Sequence, residues 1–189
     1  AKDDSNSSPL HCVCPFAYDR PPHVGLERTE GRRRAAIAAA LLKRGADVNA
    51  VNARGDTPLS LTSCYGFRKV ARVLVAAGAC LERKEGYTPL GLACRSSLSG
   101  IAQLLIRRGA NVHAVHSGRS PLHEACASGL TAVATALLDR GADIDARGEN
   151  GATPLHLACR NGCVALVQQL LARGASVRAV SESGGTPLG

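Results

Sequence analysis

The chain has no methionine and no tryptophan, and its only aromatic residues are three tyrosines and two phenylalanines. Large aromatic side chains supply much of the buried area of an ordinary globular core. Their scarcity argues against one central core for a chain of 189 residues. No run of 18 apolar residues occurs, which excludes a transmembrane helix. No signal-peptide pattern stands at the start. No G-x-x-x-x-G-K-[ST] loop, H-E-x-x-H or G-x-S-x-G is present, so no catalytic motif is in evidence. The expectation is a protein that is not an enzyme and holds no cofactor and no metal.

What the chain does contain is repetition. Thr57-Pro58-Leu59, Thr88-Pro89-Leu90, Ser120-Pro121-Leu122, Thr153-Pro154-Leu155 and Thr186-Pro187-Leu188 begin 31, 32, 33 and 33 residues apart. A second phrase runs in step: Gly45-Ala46, Gly78-Ala79, Gly109-Ala110, Gly141-Ala142 and Gly174-Ala175. From each Thr or Ser to the following Gly is always 21 residues, while the return distance varies from 10 to 12. A constant stretch joined by a variable one describes a packed unit linked by a tolerant surface loop.

Each position has a physical role. The Thr or Ser suits a helix N-cap, because its oxygen accepts a bond from an otherwise unpaired N–H. Proline at the next position loses no needed donor. Gly66, Ser97, Gly129 and Gly162 stand about nine residues on and end a short helix. Val70, Val73 and Leu74, then Ile101, Leu104 and Leu105, then Leu166, Val167, Leu170 and Leu171 follow at spacings of three and four, which marks a second, amphipathic helix. Basic residues and then glycine close it, as in Lys43-Arg44-Gly45 and Arg107-Arg108-Gly109. A short Asp- and Gly-bearing loop returns to the next cap.

This helix–turn–helix–loop unit of about 33 residues resembles the ankyrin repeat, whose T-P-L-H-x-A signature and period it shares. The resemblance implies an all-α solenoid of stacked helix-turn-helix units with hairpin-like loops. It divides the chain into an irregular lead-in over 1–22 and a repeat domain over 23–189. The units fall at about 23–55, 56–86, 87–118, 119–151 and 152–184, and 185–189 starts another. The first unit is degenerate: 21 residues before Gly45 stands Val24, then Gly25 in place of proline, and Arg28 at a leucine site. The missing initiator methionine and the break inside a repeat suggest a piece of a longer protein.

Eight cysteines do not read as a disulfide framework. Cys94, Cys126 and Cys159 recur at one repeat position, where a small thiol packs like alanine. Cys12-Val13-Cys14 has no second pair at metal spacing. The expected compartment is therefore reducing and intracellular, cytoplasmic or nuclear. His123 and His156 share another repeat position, taken by Ser60 and Gly91 in sister units, so catalysis is not expected there. In ankyrin repeats this histidine bonds the cap hydroxyl, which would pair it with Ser120 and Thr153. Glu124 stands where Leu61, Leu92 and Leu157 stand, and needs a basic neighbour such as Arg160.

In similar proteins partners bind the loop tips and the exposed side of the first helix. Carried onto this sequence, the loop tips place Arg54, Asp56, Lys84, Glu85, Tyr87, His116, Arg119, Arg147 and Glu149 in a binding face. The short helices add Tyr65, Arg95, Arg160 and Asn161. Tyrosine and arginine give large contact for little entropy loss. With +8 net charge overall, a partner protein with an acidic surface or an acidic peptide is expected. Nucleic acid is disfavoured for want of an aromatic stacking series. Asn49 matches a motif that asparaginyl hydroxylases modify in some ankyrin proteins. The Ser120–Cys126 phrase is similar to repeats in ankyrin proteins with a SOCS box, which implies an alternative role as the substrate-recognition arm of a ubiquitin-ligase adaptor.

Overall fold

The computed structural model describes residues 7–14, 27–83 and 86–187, without the side chains of 27–29. Val24, Gly25, most of the 1–22 lead-in and the Arg28 side chain lie outside the described residues. Ten α-helices are described: α1 (Pro9–Cys12), α2 (Glu27–Lys43), α3 (Pro58–Tyr65), α4 (Arg68–Ala76), α5 (Pro89–Arg95), α6 (Ser99–Arg107), α7 (Pro121–Ala127), α8 (Thr131–Asp139), α9 (Pro154–Arg160) and α10 (Val164–Ala172). No strand occurs among the described residues; one isolated bridge joins His116 and Arg119.

The helices form two rows. Odd-numbered helices pack on each other in an inner row, α1 on α3, α3 on α5, α5 on α7 and α7 on α9. Even-numbered helices form the outer row, and each also packs on the inner helix just before it. Every helix therefore touches only its own unit and the next ones, the arrangement of a solenoid. The core is one continuous aliphatic stripe, with Leu59, Leu74, Leu90, Leu105, Leu122, Leu137, Leu155 and Leu170 almost wholly buried. Leucine fills these sites because each gap between thin layers is one side chain deep.

The short inner helices start as the cap chemistry requires. Thr57, Thr88 and Ser120 accept the backbone N–H of Ser60, Gly91 and His123. They stop at Gly66, Ser97, Gly129 and Gly162, all with positive φ. Ser97 alone is not glycine there, at φ 58°.

The start of the molecule departs from the expected irregular lead-in and degenerate first unit. Ser8-Pro9-Leu10-His11 is a further copy of the cap phrase, and α1 is the inner helix of the first unit. Ser8 and His11 form the same reciprocal capping pair as Ser120 and His123. Leu10, Val13 and Cys14 are buried in the common core. From Ser8 to Gly45 is 37 residues where the other units have 21. The extra length between α1 and α2 hides the phrase from any reading that assumes constant spacing.

Candidate interaction face

Histidines tie the inner row together. His123 Nδ1 accepts the Ser120 N–H at 3.2 Å and stands 2.8 Å from the Ser120 hydroxyl. Its Nε2–H donates to the Ala152 carbonyl of the next unit at 3.2 Å. His156 repeats this with Thr153 and with Gly185 O at 3.2 Å. His11 repeats it with Ser8 and with Asp56 O at 2.9 Å. In each case the acceptor is the residue just before the next unit's cap, so one ring braces two units. Burial holds the His123 pKa below its usual 6.5, and the nearby Arg119 charge adds to this, against the opposing Ala152 and Ala146 carbonyls and Asp143. The ring is a neutral brace.

The buried thiols are packing groups. All eight cysteines are free. Burial pushes Cys14, Cys94 and Cys126 up to about 12, far from the thiolate range that makes a nucleophile. Cys14 turns into the core while Cys12 is exposed, so the C-x-C pair does not converge.

One polar cluster stands on the inner face. Glu124 is 3% exposed, and its Oε1 lies 3.5 Å from Arg119 Nε. The same oxygen accepts the Tyr87 hydroxyl at 3.3 Å. The Tyr87 ring lies 4.2 Å from that of His116 and carries the Arg95 guanidinium 5.0 Å above its centroid. The partner of Glu124 is thus Arg119, not Arg160. Arg119 directly precedes the cap of the same unit, so the loop delivers it to the carboxylate, whereas Arg160 ends α9 and is exposed.

Beside this cluster an open groove of about 560 Å³ runs over the last two units. Arg119, Glu149, Asn150, His156, Cys159 and Arg160 line it, with Ser181 and Ser183 from the following loop. The structure therefore gathers Tyr87, Arg95, His116 and Arg119 around Glu124, and Arg119, Glu149 and Arg160 around the groove. Other expected residues stand apart. Asp56 is committed to Arg83, 3.2 Å away. Arg147 reaches the Val180 carbonyl of the next loop. Tyr65 is half-buried against the core, Arg54 sits on an exposed turn, and Asn161 packs by Gly129 away from the groove. Lys84 and Glu85 lie outside the described residues. Ser181 and Ser183 were not foreseen; their position in the hairpin-like loop, aligned with Gly148 and Asn150, was the available signal. Asn49 is exposed, and its Oδ1 accepts the Cys80 N–H of the next unit at 2.7 Å. Asp145 holds the Ser176 N–H in the same way at 2.9 Å.

A family model described as ankyrin repeats (3 copies) matches residues 32–116 and 102–181. The chain belongs to the ankyrin repeat family. No curated protein matches it. Ankyrin repeats are in general protein–protein interaction modules, and the family is typically non-catalytic. The neutral ring of His123 and the buried thiols of Cys14, Cys94 and Cys126 are of a piece with that: they hold the units of this ankyrin chain together. No helix among the described residues is long and apolar enough to cross a membrane.

Proposed function

We propose that this ankyrin chain holds a partner protein by an acidic segment laid along its inner, concave face. The observation that carries the reading is the groove, where the exposed Arg160 and the partly exposed Arg119 face an open trough with hydroxyls on its far side. Two guanidinium groups on one trough suit carboxylates, which they bind in bidentate fashion. Stacked repeats present such surfaces as extended concave ledges. The eight free thiols fit a reducing, intracellular setting. In a larger assembly such a ledge serves as a scaffold or as the substrate-recognition arm of a ubiquitin-ligase adaptor; the Ser120–Cys126 phrase is what favours the second.

The test is capture by the intact chain beside two variants. Arg160→Glu reverses a groove charge that has no internal duty. Arg178→Glu makes the same change on an exposed residue outside the groove. A partner on this face is retained by Arg178→Glu and weakened roughly ten-fold or more by Arg160→Glu, the scale of a lost charged contact. Equal retention by both variants overturns the concave-face assignment.

A further inference from the structure

Much of the surplus positive charge of the molecule lies away from the concave face, where Arg119 is matched by Glu124 and Arg83 by Asp56. A dense part of it lies on the outer surface of the first two units. Between Glu30 and Asp47 the chain has five basic residues and no acidic one; between Asp56 and Glu82 it has Arg68, Lys69 and Arg72 and again no acidic one. These residues sit on α2 and α4, which are direct neighbours in the outer row. A Cβ on Gly31 would touch the Lys69 side chain at 3.6 Å, so the arginine-bearing stretch of α2 adjoins the start of α4. Arg34 turns inward to Glu30, to the Val13 carbonyl and over the Phe67 ring. Arg32, Arg33, Lys43, Arg44, Arg68 and Arg72 remain exposed, and no described carboxylate pairs with them.

Arg68 opens α4, where a cation opposes the helix dipole, and the neighbouring like charges repel. Between the charged ends of α2, Ala36 and Ala40 are small and exposed, while Ile37, 52% exposed, turns to the flank beside α1, where it lines a hollow with Pro9 and Cys12. Ala76 and Ala77 are likewise exposed at the end of α4. Among the described residues no aromatic side chain stands exposed there to stack a base, since Tyr65 and Phe67 are half-buried. Cations outnumber acids strongly on this face, where Glu30, already paired with Arg34, is the one described carboxylate on α2. Its natural counterpart is anionic, broad enough to meet two adjacent helices, and tolerant of alanine between the cations.

We propose that the outer face of α2 and α4 docks on an anionic lipid surface, with Arg32, Arg33, Arg68 and Arg72 over the phosphate and carboxylate headgroups. A cluster of this size gains affinity residue by residue from the surface potential of an anionic leaflet, and loses it in salt. The docking leaves the concave face turned away from the lipid and does not depend on what that face binds.

The test uses the intact chain and sedimentation with vesicles of phosphatidylcholine alone or with about 30% phosphatidylserine. The chain should bind the anionic vesicles at low salt at least about ten-fold better than the neutral ones, and be released by high salt. Arg32→Glu/Arg33→Glu/Arg72→Glu should weaken this about ten-fold or more, while the charge-matched set Arg107→Glu/Arg140→Glu/Arg178→Glu should cost less than about two-fold. Melting curves report whether each set is folded; Arg32→Gln/Arg33→Gln/Arg72→Gln replaces the first set if it is not. Equal losses in the two sets would reduce the effect to net charge and overturn the proposal. So would no binding to anionic vesicles at low salt, or random duplex DNA bound through the same three arginines while vesicles are ignored.

Discussion

Glu124 takes a site that leucine takes in three sister units, and it stays only because Arg119 and Tyr87 supply its partners. A buried carboxylate is costly when unpaired, and an apolar residue of similar size is often at least as stable as the ion pair. Glu124→Leu should therefore leave the melting temperature unchanged or raise it, because Arg119 and Tyr87 can turn to water. Arg119→Ala should lower stability by about 1–3 kcal/mol, because the carboxylate keeps only the hydroxyl. Denaturant titration of the two variants checks the asymmetry; a larger loss for Glu124→Leu would refute it. For His123 the folded pKa lies below the unfolded 6.5. Its contribution is thus complete above about pH 6.5 and falls as pH drops through that value toward the folded pKa, because the unfolded chain takes up the proton first. Unfolding followed from pH 8 to 5 should show a slope that His123→Gln reduces. Sequence alone identified Glu124 as anomalous and His123 as structural, but chose the wrong arginine, because the path of the loop that brings Arg119 back to the carboxylate of its own unit is not written in residue spacing.

At the scale of elements, the second helices and the caps were legible because both follow local rules, spacing and side-chain chemistry. The first inner helix was not. Ser8-Pro9-Leu10-His11 obeys the same rules, but α1 is only four residues long and reaches α2 across an insertion. What makes it a helix is the tertiary surface offered by α2 and α3, since a single turn has no stability of its own. The same dependence on local rules gives a test at Ser97, the non-glycine residue in a left-handed turn where sister units have glycine. That conformation costs an L-residue roughly 1–2 kcal/mol, offset in part by the greater freedom of glycine in the unfolded chain. Ser97→Gly should raise stability by up to about 1 kcal/mol, read from the shift in denaturant midpoint.

The whole molecule is a chain of nearest-neighbour contacts, so a break in the middle separates two short stacks. Leu137 is fully buried between α8 and its neighbours. Leu137→Asp places an unpaired charge there and should abolish the cooperative transition, at a cost of several kcal/mol; an unaltered melting curve would contradict the stacking order. In the last unit Val164 and Leu171 are 66% and 42% exposed, while Val167 is half-buried.

The repeat, its helices, its caps and the buried leucine ladder were decided within the sequence, because each depends on residues fewer than about ten positions apart and on a period that recurs five times. Three features were decided only by the tertiary structure. Ser8–Cys14 joined the first unit, Arg119 and Tyr87 closed on Glu124, and the unmatched cations of α2 and α4 came to share one face. The meetings of α1 with α3, of Tyr87 with Glu124 and of α2 with α4 depend on which parts of different units face each other when layers stack, and no local spacing relates such residues; Arg119 reaches Glu124 within one unit, through the path of its loop.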